Sequence, residues 1–287
     1  MMNIDGSIIL EGGANRGIFT AGVLDFLMEK DIFFNNIIGV SAGASNGLNY
    51  ASHQIGRSKR TIMITNKKDR YIHKSKFLTS SILDMDKLFV DFPERLFPYD
   101  YNSFIKYKND VELVATNCLT GGCEYLKIDP FKRNMESCRA SCSMPLAAPV
   151  VQINSIPYVD GSVSNSIPLD RAQEKKHKII FLVLTQKKGY VKEQAGKLSK
   201  FLIKAKYGKY PKVIEDLDNR ANRYNNRLAE INRLEEEGKV FVIRPKVDTI
   251  SHLEQDVKVL GDFYNHGYSL IENRFDDFLS YIKNNLN

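Results

Sequence analysis

The residue best placed to act as a nucleophile is a serine framed by glycines, in Gly39-Val40-Ser41-Ala42-Gly43. A G-x-S-x-G between an apolar strand and a helix is a nucleophile elbow: the strained turn pushes the serine side chain out, and the glycines let the backbone pass closely. Ile37 and Ile38 supply the apolar run before it, and small residues lead into a helix after it. The positive end of that helix then lies under the reacting centre. A serine hydroxyl needs a base to take its proton. Asp160, in Tyr158-Val159-Asp160-Gly161-Ser162, ends an apolar segment, and Gly161 gives it a sharp turn. Without Ser41 it would read as an Asx turn with no chemistry. The five histidines, His53, His73, His177, His252 and His266, lie in no distinctive motif. His53, His73 and His177 are expected to be solvated. His252 and His266 come late enough for the Ser…Asp…His order of the α/β-hydrolases. Those enzymes place the elbow after several strands, whereas Ser41 follows two, which favours Asp160 as the base.

A second candidate is Glu11-Gly12-Gly13-Ala14-Asn15-Arg16-Gly17, also between a strand and a helix. A phosphate-cradling P-loop requires Lys-Ser or Lys-Thr after the last glycine, where Ile18-Phe19 stand. A dinucleotide fingerprint requires G-x-G-x-x-G, which glycines 12, 13 and 17 do not form. A loop of backbone N–H groups shaped for an anion remains, and it suits an oxyanion hole. In a doubly wound sheet, loops at the carboxyl ends of adjacent strands share one crevice, so this loop and Ser41 are expected to meet.

The elements around these residues alternate. Ile8–Leu10 and Ile37–Val40 read as buried strands, and Ile18 to Lys30 has a helical apolar period. Val111 to Asn117 and Tyr125 to Ile128 read as further strands, Cys138 to Met144 as a helix stopped by Pro145, and Ile179–Leu184 as a late buried strand. Past Gly189 the composition shifts. Lysines from Lys192 to Lys212 interleave with Leu198, Phe201, Leu202 and Ile203, with no evident hydrophobic anchor. A long polar helix, Ile214 to Glu237, a strand, Val240–Ile243, and a closing amphipathic helix, Phe263 to Ile282, follow. Strands alternating with helices argue for an α/β fold with a mainly parallel sheet flanked by helices on both faces. The expected division is a catalytic domain, 1–187, and a helical C-terminal extension, 188–287, packed on it.

The 287 residues suffice for a sizeable core, and the formal charge of +7 suits a solvated surface, nucleic acid or an anionic membrane face. The basic stretches 57–76 and 187–212 carry much of it, and no aromatic-rich RNA motif accompanies them, which disfavours nucleic acid. No secretion signal and no apolar run near the ~20 residues of a spanning helix is visible. The expected location is cytoplasmic, with any membrane contact peripheral to the inner face. Cys118, Cys123, Cys138 and Cys142 read as reduced thiols, because their spacing is not that of a zinc knuckle and no His lies close by.

Gly12 to Gly17, Gly39 to Gly43 and Asp160-Gly161-Ser162, in this order, resemble the patatin-like phospholipase family, with its G-G-G-x-R/K-G loop, G-x-S-x-G elbow and D-G-G/A motif. Ala140-Ser141-Cys142-Ser143-Met144-Pro145, with Pro149 following, resembles the helix end before the family's Asp. The likeness covers about the first two thirds of the chain, and the region from Lys187 is similar to the extension of a bacterial branch. The resemblance implies a Ser41-Asp160 dyad without His, cleaving fatty acyl esters of lipids with no metal or other cofactor. It also implies an oxyanion hole at Gly12, Gly13 and Ala14, loop support from Arg16 and Gly17, and an elbow of Gly39, Ala42 and Gly43. Ala14 departs from the family's third glycine and Ser162 from its small residue. Two other readings stay open. One is a soluble-substrate esterase or thioesterase with a Ser-Asp-His triad, and the other a non-catalytic peripheral membrane-binding protein.

Overall fold

A computed structural model describes residues 1–73 and 81–286. Lys74 and Lys76 of the first basic stretch lie outside them. The first half runs β1 (Met2–Leu10), α1 (Gly17–Glu29), β2 (Ile32–Val40), α2 (Ala42–Ala51), α3 (Arg57–Ile62), α4 (Tyr101–Tyr107), β3 (Asp110–Asn117) and β4 (Cys123–Leu126). The second runs α5 (Glu136–Ser141), β5 (Val151–Ile153), β6 (Ile156–Asp160), α6 (Leu169–Glu174), β7 (Ile179–Val183), α7 (Lys197–Tyr207), α8 (Pro211–Glu236), β8 (Phe241–Ile243), α9 (Val257–Asn273) and α10 (Phe275–Leu286).

One mixed sheet holds all the strands, in the order β5-β6-β3-β2-β1-β7-β8 with β4 beside β3. The neighbours from β3 through β8 are parallel; β4, β5 and β6 pair antiparallel. Side chains on a strand alternate between faces, and both faces here are apolar. Ile8, Leu10, Ile37, Leu113 and Phe181 pack with α1, α2, α9 and α10. Ile9, Ile38, Val114, Ile180 and Leu182 pack with α6 and α8. Helices therefore cover both faces. Helix α1 is buried from Gly17 to Met28 on every side, as a helix apolar all round must be.

The pairing around β3 is what positions the site. Val114 faces Val40 of β2 and Tyr125 of β4, while Ala115 faces Glu124 of β4 and Asp160 of β6. A strand residue has one neighbour at each edge, so β2 and β6 share one edge of β3. They run in opposite directions and stop at consecutive positions of it. Residue 41 and residue 160 are thus brought together head to head.

The structure departs from the sequence expectations in three places. The helix expected over Cys138 to Met144 is α5, Glu136–Ser141, which ends ahead of Pro145. Strand β4 starts at Cys123 rather than Tyr125, because Gly121, at φ 73°, turns the chain straight back onto β3. The closing helix is two helices. It breaks at Arg274, whose guanidinium donates to the Val242 carbonyl (2.8 Å) and lies over the Phe241 ring, swinging α10 onto the sheet. A π-helix at Lys87–Leu96 carries no sequence expectation. Among the described residues no helix is long and apolar enough to cross a membrane.

Helices α1 and α9 cross at reciprocal glycines. A Cβ at Gly22 would stand 2.2 Å from the Tyr264 carbonyl oxygen, and one at Gly267 would stand 2.2 Å from that of Phe19. The contact is backbone against backbone, so an added methyl must push the helices apart. Gly22→Ala and Gly267→Ala should each destabilise by about 1–3 kcal/mol, the usual range for an overpacked core. At roughly 2–4 °C per kcal/mol for a chain of this size, calorimetry resolves that. Parent-like melting of both variants would show that the helices separate without cost.

Candidate active site

Ser41 sits between β2 and α2 at φ 55°, ψ −122°, a strained conformation for a residue with a Cβ. The strain is held by packing. A Cβ at Gly43 would meet the Leu10 carbonyl oxygen at 2.2 Å, and one at Gly39 would meet Ala44 Cα at 2.5 Å. Helix α2 starts at once, with Ala44 N donating to the Ser41 carbonyl (2.8 Å). The Ser41 amide is occupied, since it donates to the Ser141 hydroxyl of α5 (3.0 Å).

Asp160, at the end of β6, is buried at 1% exposure. Its amide donates to the Ser143 carbonyl (3.0 Å), and its carbonyl accepts from the Thr116 hydroxyl (2.9 Å). Its Oδ1 accepts the Ser162 N–H (2.8 Å). Burial pushes the carboxyl above its ordinary range, opposed by hydrogen bonds from Ser41 and Ser162 and by the charge of Arg220. Ser41 thus stands beside Asp160, and Ser162 keeps its small-residue position useful by holding the carboxylate.

The Gly-rich loop lies against the elbow. A Cβ at Gly12 would stand 3.0 Å from Ser41 Cβ, and one at Gly17 would stand 3.0 Å from Ala42 Cβ. Ala14 takes φ 49°, so it adopts the left-handed backbone that its departure from glycine had put in question. That geometry costs an alanine roughly 1–2 kcal/mol. Segment 250–254 holds the loop. Arg16 Nε donates to the Ile250 carbonyl (2.8 Å), Asn15 N to that of His252 (3.1 Å) and Asn15 Nδ2 to that of Glu254 (2.5 Å).

Glu11 has a part the sequence reading missed. Its buried carboxylate accepts Tyr224 OH (2.5 Å) and Thr185 N (2.6 Å), while the Thr185 hydroxyl donates to the Gly12 carbonyl (2.8 Å). Burial raises its pKa, and those two donors and the charge of Lys192 oppose the rise. Arg220 of α8 was missed as well: its Nη2 donates to Ser162 Oγ (2.7 Å). Its signal was available, as Val213, Leu217, Arg220, Tyr224, Leu228 and Ile231 form one stripe of α8 and Arg220 is the charge in it.

Two cavities meet at a wall made by Ala14, Ser41 and Met144. One, of about 110 Å³, is lined by apolar side chains including Ile62, Leu83, Leu88, Phe89 and Phe92. The other, of about 240 Å³, is polar and holds Asp160, Arg16, Lys192, Arg220 and His252. His252 therefore reaches the cavity, with its side chain exposed. His266 does not: it packs against Phe19 and Phe263, and its Nε2 accepts from Lys246 N (3.0 Å). His53 is stacked between Phe33 and Tyr107, and His177 Nδ1 bonds to Ser7 Oγ (2.6 Å), so neither is simply solvated. Arg57 of the first basic stretch is buried, donating to the Phe97 carbonyl and Asn49 Oδ1. The cysteines are free thiols, and among the described residues no group of His, Cys, Asp and Glu is arranged to hold a metal.

Residues 8–172 match the family model described as patatin-like phospholipase, and residues 210–283 match a domain of unknown function, DUF6363. A curated relative, the uncharacterized protein YjjU of Escherichia coli (strain K12), is 28% identical over 184 residues, 62% of this chain and 51% of that protein. The chain thus spans about half the length of that relative. VipD from Legionella pneumophila, a solved structure, superposes with a TM-score of 0.43 at 11% identity, over 94% of this chain and 67% of that one.

Removing the Tyr224 hydroxyl leaves the buried Glu11 carboxylate short of one donor. Tyr224→Phe should cost about 1–3 kcal/mol, the penalty of a buried acceptor left unmet. Urea unfolding measures it. A variant as stable as the parent would mean that Glu11 does not hold α8 to the loop.

Proposed function

The chain belongs to the patatin-like phospholipase family, and from that premise we propose that it hydrolyses fatty acyl esters of lipids, in the manner of a phospholipase A or lysophospholipase, with Ser41 as nucleophile and Asp160 as base. The observation that carries this reading is the head-to-head ending of β2 and β6 on one edge of β3, which brings Ser41 beside Asp160 where an apolar and a polar cavity join. The apolar cavity suits the acyl chain and the polar one the alcohol part of the ester.

In the reaction Ser41 Oγ bonds to the ester carbonyl carbon as its proton passes to Asp160. Charge on the carbonyl oxygen is met by backbone N–H groups of the Gly12, Gly13 and Ala14 loop, each donor worth roughly 10²–10³ in rate. The C–O bond to the alcohol breaks and Asp160 returns the proton to the leaving oxygen. Water, deprotonated by Asp160, then attacks the acyl-serine, the bond from the acyl carbon to Ser41 Oγ breaks, and Asp160 returns the proton to Ser41 as the fatty acid is released. Arg16 and Gly17 steady the loop, while Gly39, Ala42 and Gly43 shape the elbow. The catalytic parts lie in 1–187, and 188–287 braces them.

Contact with a bilayer fits helix α7. Leu198 and Phe201 are 72% and 68% exposed, beside the exposed Lys197 and Lys204, and so supply the apolar anchor not evident in the sequence. Lys200 is less available, being paired with Asp218 (3.0 Å), and Lys206 donates to the Ala148 carbonyl (3.2 Å). Each free Lys near an anionic leaflet contributes about 1 kcal/mol. Sedimentation with anionic vesicles should weaken in a Leu198→Asp, Phe201→Asp variant, and unchanged sedimentation would remove α7 from the contact.

Ser41→Ala should abolish ester hydrolysis and fluorophosphonate labelling, and Asp160→Asn should lower kcat about 10²–10⁴-fold. His252→Ala should keep most turnover; a loss equal to that of Asp160→Asn would put a histidine in the mechanism. Activity requires ionised Asp160, whose pKa lies above the ordinary 3.8, so kcat/KM should rise with pH through that displaced ionisation. The sign for stability is opposite. The protonated form is favoured on folding, so this group stabilises most below 3.8 and progressively less as pH rises through its folded pKa. Acid should therefore silence the enzyme while protonation of this group favours the fold, as paired pH–rate and pH–melting series would reveal.

A further inference from the structure

The polar cavity beside Ser41 carries more cationic charge than the chain neutralises. Arg16, Lys192 and Arg220 line it, against the carboxylates Glu11 and Asp160. Glu11 is already satisfied by Tyr224 and Thr185, and Arg16 is directed to the Ile250 carbonyl. Along α8 the contrast is sharp. Arg223 is ion-paired with Asp216 (3.1 Å), and Arg227 with Asp170 (3.1 Å) and Glu230 (2.8 Å). Arg220, one turn earlier on the inward stripe, forms no ion pair among the described residues, and its Nε is buried without a hydrogen-bond partner. Lys192 likewise forms no ion pair among the described residues; its ammonium lies 4.9 Å from the Tyr224 ring centre.

A guanidinium kept on an otherwise apolar stripe, short of acceptors, is costly unless an anion completes it. Arginine is also the side chain whose planar fork matches phosphate oxygens. The volume narrows the choice of ligand. At about 240 Å³ the cavity is smaller than the ~300–1,000 Å³ of sites that enclose a whole ligand, so it suits one polar group rather than an entire lipid. Past Ser162, Ser166 and Arg220 it continues into a wider polar hollow of about 510 Å³, which gives a released alcohol a way out.

We propose that this cavity is a subsite for a phosphate-bearing head group, that Arg220 and Lys192 of the C-terminal extension recognise it, and that the chain therefore favours anionic acyl glycerophosphates over neutral acyl glycerols. The proposal rests on the reading of Ser41 and Asp160 as the reacting pair. Arg220 and Lys192 are specificity determinants in it and take no part in bond making.

The test compares a short-chain 1-acylglycerol 3-phosphate with the 1-acylglycerol of the same chain, both below their micelle concentrations. Wild-type kcat/KM should favour the phosphate by about tenfold or more, the equivalent of 1.4 kcal/mol. Arg220→Gln and Lys192→Met should each bring the ratio towards one, chiefly through KM, and Arg220→Lys should restore part of it. Glycerol 3-phosphate should compete with substrate in the wild type and much less in Arg220→Gln. A wild-type ratio of one or below overturns the proposal without any variant having to fold. So does inhibition by inorganic phosphate unaccompanied by a preference, since the site would then serve a free ion. A third overturning result is an unchanged ratio in the variants with the acid limb of the pH profile moved equally for both esters, because Arg220 would then act only on Asp160. Hydrolysis of both esters by Ser41→Ala would instead sink the hydrolase reading itself.

Discussion

Two strands ending against the same edge of β3 are the constraint on which the rest of the site depends. Val40 and Asp160 occupy neighbouring places along that edge, at Val114 and Ala115, so the spacing of Ser41 and Asp160 is set by backbone hydrogen bonds. Sheet geometry is stiffer than any loop, and reacting groups tolerate little misplacement. Everything near the pair is arranged to preserve that ending. Gly43 lets α2 touch the end of β1, Ser141 takes the Ser41 amide, and Ser143 takes that of Asp160.

Beside this rigid junction Glu11 is buried with its partners. Glu11 is held by a tyrosine and a backbone amide drawn from α8 and the end of β7, so the Gly-rich loop is tied to both. The loop itself contains a strained alanine, and the three bonds to 250–254 hold its shape. Strain of this kind persists only where surrounding structure over-determines it.

Much of the fold was legible in the sequence, since buried strands and an apolar helix leave strong local patterns. The elbow was legible because Gly39, Ser41 and Gly43 each answer to a steric need. The pairing of Ser41 with Asp160 was expected, but the strand geometry that joins them was not, because an antiparallel β6 in a largely parallel sheet is decided by pairing with residues about 40–45 positions away. Glu11 shows in the sequence only as the start of a glycine loop, since its partners stand at 185 and 224. The closing helix divides at Arg274 for a tertiary reason, a bond to the Val242 carbonyl, which no helical period encodes. His252 reaches the cavity through segment 250–254, which has no pattern of its own.

The ties between the Gly-rich loop and segment 250–254 have a consequence for the order in which the chain is made. A ribosome releases residues 11–17, 41 and 160 well before residues 220–254 exist. Chains grow at about 5–20 residues per second, so the interval lasts several seconds. During it the loop has none of its three carbonyl acceptors, Glu11 lacks Tyr224, and β7 lacks its partner strand β8. A nascent chain holding both Ser41 and Asp160 is thus still without the braces that hold its Gly-rich loop. The braced shape of the loop is therefore available only once the last part of the polypeptide has been made.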